Sequence, residues 1–359
     1  MQKEIFYYFF RLGVFGFGGP LALISNMQKD LIEKRKWIDA DEFNSAFSLI
    51  KAMPGPVAFM TAVYLGKRRG GNLGGNLAAI GIVLPSAVLM VLFSLFFANL
   101  IHISAVKIIL LGMQACALGV ILGSLKGLIA KNITDWFFWI LVIFSGVINY
   151  FYPSLEPVVI ILLGLAIVAS RYYLRSSKRF DLALLFLVCF KAGALVFGSG
   201  LAIVPMLKHD VVTVNGWLTE SEFLNALAFG QMTPGPVVIT ATFIGHHVHG
   251  IIGAIVATFA IFCASFFHMM TWFPHFVKKL SGKSWINDFV FGAVAAVVGP
   301  IITTVIKLYL SLETSWINLL FLLIALFLTL KNKVPLWLII PGGGVIYLLL
   351  KASIEKLLI

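Results

Sequence analysis

Lys51-Ala52-Met53-Pro54-Gly55-Pro56 and Gln231-Met232-Thr233-Pro234-Gly235-Pro236 are the stretches of this chain best suited to recognising a ligand, and the ligand they suit is an anion. Proline lacks an N–H, fixes φ and pushes the preceding residue out of the α region, so Pro-Gly-Pro ends one helix and starts another. Each new helix opens with unsatisfied N–H groups that amount to about half a positive charge. Glycine between the prolines allows close backbone approach. Thr233 adds a hydroxyl, and Lys51 adds a full cation where the second motif has Gln231. Lys51, Met53, Gly55, Gln231, Thr233 and Gly235 are therefore the candidate substrate-binding residues; no catalytic, metal-binding or cofactor-binding residue is assigned. The plainer alternative is that the prolines merely kink spanning helices. Duplication with glycine between them speaks against it, because a break in hydrocarbon survives only inside protein or beside a polar cavity.

Glycine-rich interruptions precede both motifs, at Gly16-Phe17-Gly18-Gly19-Pro20 and Gly198-Ser199-Gly200. Gly18, Gly19, Gly198 and Ser199 join the binding candidates, although small residues also serve close helix packing. Glu42 and Glu222 stand just ahead of the broken helices. They are helix-start acids facing water or, as ionisable groups near a membrane, coupling or gating carboxylates. His246, His247 and His249 look like a metal cluster but have no neighbouring Cys, Asp or Glu, so interfacial histidines are the better reading. His102, His209, His268 and His275 stand alone.

Membrane helices have to carry these residues. Of 359 residues, 60% are hydrophobic and 12% charged, and a mean hydropathy of +1.00 is too high for a soluble globule. Apolar runs at Leu77–Leu100, Ile108–Val120, Trp136–Tyr152, Pro157–Ser170 and Ile317–Leu330 predict helices. The net charge of +12 does not indicate nucleic acid, because the basic residues cluster between apolar runs. Cys116, Cys189 and Cys263 read as small core residues. The opening residues show no small-residue cleavage site, so no cleaved signal is expected.

The two Pro-Gly-Pro motifs lie 180 residues apart, and the same offset, without a gap, pairs Phe10/Phe190, Gly13/Gly193, Asp30/Asp210, Trp37/Trp217, Glu42/Glu222, Phe43/Phe223, Gly70/Gly250 and Trp136/Trp316. Two homologous halves are expected, residues 1–175 and 176–359. Each would contain a re-entrant Pro-Gly-Pro hairpin and about five spanning helices if its opening helix crosses. An odd count inverts the second half, and the loop charges exchange accordingly. Lys29, Lys34, Arg35 and Lys36 face only Lys208 in the repeat; Lys67-Arg68-Arg69 gives way to His246-His247 and His249; Lys278, Lys279 and Lys283 appear where the first half has no cation. This arrangement puts Arg171, Arg175, Lys178 and Arg179 on the cytoplasmic side and both termini outside.

The run Trp37, Glu42-Phe43, Pro54-Gly55-Pro56, with Phe197-Gly198-Ser199-Gly200, Trp217-Leu218-Thr219, Glu222-Phe223, Gln231-Met232-Thr233-Pro234-Gly235-Pro236 and Thr242-Phe243-Ile244-Gly245, resembles the signatures of the chromate ion transporter family over nearly the whole chain. The resemblance implies a bacterial-type inner-membrane carrier of antiparallel homologous halves that exports chromate, with sulfate a related oxyanion. Lys51 departs from it, since the family often has Gln at that place in both halves. The combined expectation is an all-α, multi-pass integral membrane protein of two inverted-topology repeats. It would work as a secondary transporter by alternating access, with an oxyanion and the lipid bilayer as partners, and the reading admits a homodimer. A sulfate or other oxyanion carrier, an anion channel, and a membrane enzyme built on His246, His247, His249 and Glu222 are the alternatives. No Walker-type motif suggests ATP-driven pumping.

Overall fold

The structure, a computed structural model, describes residues 1–16, 19–129, 136–151, 179–196, 200–274, 284–312, 315–331 and 334–357. Among these the chain is helical and has no strand. Its helices are α1 (Gln2–Phe15), α2 (Gly19–Gln28), α3 (Ala40–Ala52), α4 (Val57–Leu100), α5 (Ser104–Ile129), α6 (Trp136–Phe151), α7 (Arg179–Leu195), α8 (Ile203–Leu207), α9 (Glu220–Met232), α10 (Thr240–Met270), α11 (Ser284–Ser311), α12 (Trp316–Lys331) and α13 (Leu336–Leu357). Four of them, α4, α5, α10 and α13, contain segments long and apolar enough to cross a membrane. Ile80, Leu84 and Val88 on α4 and Ile251, Ile255 and Phe259 on α10 are exposed, a stripe that suits lipid rather than water. The boundary expected between residues 175 and 176 lies outside the described residues.

α3 and α9 are each 13 residues long. The Asp39 carboxylate caps α3 by accepting the Glu42 N–H at 2.7 Å. Thr219 and Glu222 form a reciprocal capping box on α9. Both helices stop where the residue before proline turns extended, at Met53 (φ −92°, ψ 148°) and Thr233 (φ −70°, ψ 142°). Gly55 (φ 133°) and Gly235 (φ 104°) then take conformations closed to other residues.

α4 and α10 fold back on themselves at matching places, Gly70–Gly71 and His249–Gly250, so that Gly66 meets Gly74 and Gly245 meets Gly253, and the parts that follow pack against each other. They run antiparallel. Lys67 Nζ donates to the Met270 carbonyl at 2.5 Å at one end of the pair, and His246 Nδ1 lies 2.8 Å from Ser94 Oγ toward the other. The first end is a basic face with Lys67, Arg68 and Arg69; the second is a histidine face with His246 and His247.

The opening helix does not run through to the far side, and this corrects the count of five spans per half. Arg35 Nη1 donates to Glu4 Oε1 at 2.8 Å, and the Trp37 ring lies 5.5 Å from that of Tyr8. The chain therefore turns back after Gly16, and α2 returns alongside α1 to the face it left. Gln2 Nε2, donating to the Gly70 carbonyl at 3.1 Å, places the N-terminus at the basic face, whereas the loop charges had put it on the side opposite the basic loops. At about 1.5 Å per residue, α1 reaches only some 20 Å inward before the break. α7 packs parallel to the second part of α10, with Gly193 against the Ile261 backbone and Phe186 against Phe259. Arg179 accordingly starts at the histidine face; Arg171, Arg175 and Lys178 lie outside the described residues.

The gapless repeat also needs amending. Gly71 (φ 64°) corresponds in geometry to Gly250 (φ 59°), which stand 179 residues apart, and Gly70 corresponds to His249. The helix after the second break opens with a 3₁₀ turn, Val237–Ile239, where the first opens directly as α-helix. Three 3₁₀ residues advance about as far as four α residues, roughly 6 Å, so one residue is lost without displacing the rest of the helix. Trp136 and Trp316, opening α6 and α12, are 180 apart again.

Packing does not respect the sequence halves. α1, α4, α7 and α10 pack together, while α5 is flanked by α11, α12 and α13, and α6 lies on α11. α9 touches both groups, against α10 on one side and α5 and α13 on the other. Gln114 of α5 fixes this contact by donating through Nε2 to Asn225 Oδ1 at 2.9 Å and to Ser221 Oγ at 3.1 Å. On the histidine face Lys208 and Glu220 pair at 2.7 Å. Burial would raise the Glu220 carboxyl, but hydrogen bonds to Lys208 and Ser311 outweigh it and hold it below the ordinary carboxylate range. A lowered folded-state value contributes stability above the unfolded-state titration that is lost as pH falls.

Candidate functional site

The chain breaks are joined across the halves. Gly55 N–H donates to the Val196 carbonyl at 2.5 Å, just beyond α7, and Gly235 N–H donates to the Gly16 carbonyl at 3.2 Å, just beyond α1. Each Pro-Gly-Pro thus closes the exposed carbonyl end of the other half's opening helix. A Cβ on Gly55 would overlap the Ser265 hydroxyl of α10, and one on Gly235 would sit 3.0 Å from Ser86 Oγ of α4. These glycines are kept by close packing and by their φ, and their N–H groups are committed to protein carbonyls. Their expected role as direct ligands changes to holding the breaks in place.

Polar and charged side chains lie beside them. Gln231, in the last turn of α9, is 6% exposed and its Nε2 has no hydrogen-bond partner among the described residues. A buried amide donor left unmade costs about 1–3 kcal/mol, so a structure that keeps one invites an acceptor. Thr233 is buried and donates its hydroxyl to the Gly230 carbonyl at 2.9 Å, leaving oxygen lone pairs rather than a proton free. Met53 is buried at the end of α3. Lys51, half-buried two residues earlier, holds its ammonium 4.1 Å from the Phe47 ring centroid. α4 begins at Val57 with no side-chain cap, and Val57, Ala58 and Phe59 are buried. Gly19 opens α2; Gly18, Gly198 and Ser199 lie outside the described residues.

Glu42 and Glu222 are remote from the breaks, about 15 Å away at a helical rise of 1.5 Å per residue. Glu42 is held by Arg68, at 2.6 Å from Nε and 3.2 Å from Nη2, with the Tyr64 hydroxyl at 3.4 Å. Glu222 Oε2 accepts from Thr219 N–H and Oγ1 at 2.7 and 2.8 Å, and its Oε1 lies 3.7 Å from His247 Nε2. Arg68 and His247 occupy the same place in the two halves once the lost residue is counted. The three histidines do not converge. His246 meets Ser94, His247 meets Glu222, and no group of three His, Cys, Asp or Glu among the described residues could hold a metal.

Two cavities frame these residues. The larger, about 780 Å³ between α4 and α10, is lined mainly by apolar groups such as Ile80, Val83, Phe259 and Phe262, with Asn76, Thr242 and Thr258 as its polar members and no charged side chain. The smaller, about 510 Å³, is charged and lies between α1 and α2, with Glu4, Arg11, Asp30, Lys34 and Arg35 on its wall. Sequence reasoning passed over Ser86, Ser265, Gln114 and Arg11. Only Arg11 carried a signal, as a cation within an apolar helix.

The chromate transporter family profile matches this chain twice, over residues 3–169 and 183–348. A probable chromate transport protein of Synechococcus elongatus is 33% identical over 96% of this chain and 95% of its own length. A chromate transport protein of Cupriavidus metallidurans is 33% identical over 85% of this chain and 82% of its own. An uncharacterized transporter of Bacillus subtilis, 31% identical, aligns with 46% of this chain and 86% of itself, the length of a single half. No solved structure matches the chain.

Proposed function

The chain belongs to the chromate transporter family, and on that premise we propose that it is a secondary transporter of the bacterial inner membrane that exports chromate by alternating access. The halves are read as inverted-topology repeats, 1–175 and 176–359, each with a re-entrant broken helix. The antiparallel course of α4 and α10 and the exchange of basic for histidine-bearing ends support this. The basic face is the cytoplasmic one.

The observation that carries the reading is the unpartnered, buried Nε2 of Gln231 beside two joined chain breaks. A tetrahedral dianion leaving water needs fixed donors and positive potential. Gln231 supplies a neutral donor, the uncapped starts of the helices at Val57 and Val237 supply oriented N–H groups, and Lys51 supplies the charge. Met53 and Thr233 line the site; Gly55, Gly235 and the glycines of the opening breaks shape it. Glu42 and Glu222 act at the gates rather than on the anion. Sulfate has the same shape and charge and is the natural competitor.

Uptake of labelled chromate into proteoliposomes, with sulfate as competitor, tests this. Gln231→Leu and Lys51→Gln should each raise the chromate half-saturation about tenfold or more, as a charged hydrogen bond is worth roughly 1.5–3 kcal/mol, and Lys51→Arg should cost less. Flux that does not saturate would make the protein a channel. Unchanged half-saturation in both variants would move the site elsewhere.

A further inference from the structure

Arg11 and Lys191 stand at equivalent places in α1 and α7, five residues before Gly16 and Val196. Their surroundings differ. Lys191 is paired with Asp210, whose carboxylate is 3% exposed. Asp30, the counterpart of Asp210, is instead bound 2.8 Å from Lys34. Glu4 is likewise engaged by Arg35, so Arg11 has no ion-pair or hydrogen-bond partner among the described residues. Its guanidinium lines the cavity of about 510 Å³, with Asn26 opposite it on α2 and Lys34 and Arg35 toward the basic face. The sequence explains the difference. Lys34 and Arg35 are replaced in the second half by Val214 and Asn215, and Asn215 donates to the Asp210 carbonyl at 2.7 Å without competing for its carboxylate.

An unpaired arginine this far along a helix that starts at the membrane face is costly unless it serves a polar path. From Arg11 to Gly16, whose carbonyl receives Gly235, is about 7.5 Å along the helix. The cavity therefore leads from the basic face toward the joined breaks. We propose that it is the vestibule by which an oxyanion reaches those breaks, that Arg11 is the cation receiving it, and that the Lys191–Asp210 pair is the closed form of the same device at the opposite face. In the alternate state Asp30 leaves Lys34 for Arg11 and closes the basic side, while Asp210 releases Lys191 and opens the other. The transporter reading supplies only the identity of the anion.

Thiol labelling of the full-length protein in membranes tests the charge of the path without requiring transport. Asn26→Cys should react faster with an anionic than with a cationic methanethiosulfonate, and wild type gives the background because Cys116, Cys189 and Cys263 are buried. Adding Arg11→Gln should lower the anionic-to-cationic rate ratio about fivefold or more, and Arg11→Lys should preserve it. Met206→Cys, the counterpart of Asn26, should stay slow and become reactive when Asp210→Asn is added. A ratio unmoved by Arg11→Gln, or Met206→Cys as reactive as Asn26→Cys from the outset, overturns the proposal. Intact labelling behaviour without any chromate flux would leave the vestibule standing and reject the substrate.

Discussion

Glu42 and Glu222 hold the same position in two halves built alike, yet one is locked by a permanent charge and the other by a conditional one. Arg68 grips Glu42 through two nitrogens and cannot lose its proton, whereas His247 attracts Glu222 only while protonated. The same division appears deeper in the molecule. Arg11 is open and Lys191 is sealed by Asp210; Lys51 carries a charge where Gln231 carries an amide. The backbone devices, by contrast, are duplicated closely, down to the pairs Gly55–Val196 and Gly235–Gly16. Duplication has kept the geometry that holds the breaks and let the chemistry on the two sides diverge.

The largest effects should come from disturbing what the halves share. Gly55→Ala adds a Cβ at positive φ against the buried Ser265 hydroxyl, and Gly235→Ala meets Ser86 less tightly. Strain and overpacking together should cost about 3–5 kcal/mol at Gly55 and about 1–3 at Gly235. Thermal unfolding in detergent orders the two, and equal losses would mean that the breaks are held alike despite the different clearances.

A pH profile separates the halves next. The His247–Glu222 ion pair requires a protonated imidazole, whereas Arg68 keeps its charge across the physiological range of pH. Glu222→Gln, which keeps the capping box, should flatten the transport profile over that range, and Glu42→Gln should leave its shape unchanged. Residue type and spacing alone assign these two acids one shared role. A profile flattened equally by both would restore it.

The smallest contrast is at the caps. Asp39→Ala and Thr219→Ala should each cost about 1 kcal/mol, with Thr219→Ala the worse because its hydroxyl and the Glu222 carboxylate form a reciprocal pair. Unfolding midpoints for the two variants decide it.

Much of the site was legible from local rules. Pro54, Pro56, Pro234 and Pro236 announced helix ends because a missing N–H acts wherever it occurs, and Glu42 and Glu222 announced helix starts. Apolar runs announced the membrane. What misled was the opening helix: its apolar length suggested a crossing, but the chain folds back after Gly16 and brings Glu4 to Arg35. Hydropathy reports that a segment is buried in lipid or protein; it does not report where the segment turns.

The membrane class, the helices, the two breaks and their repetition are written in the order of residues, since each arises from the chemistry of neighbours along the chain. The contacts those breaks make are not. That Gly55 spends its N–H on Val196, that Gln231 is left with an unmet donor and that Glu42 meets Arg68 while Glu222 meets His247 are matters of packing between distant segments. Even the register of the repeat belonged to the fold, because a 3₁₀ turn and an α turn cover the same distance with different numbers of residues.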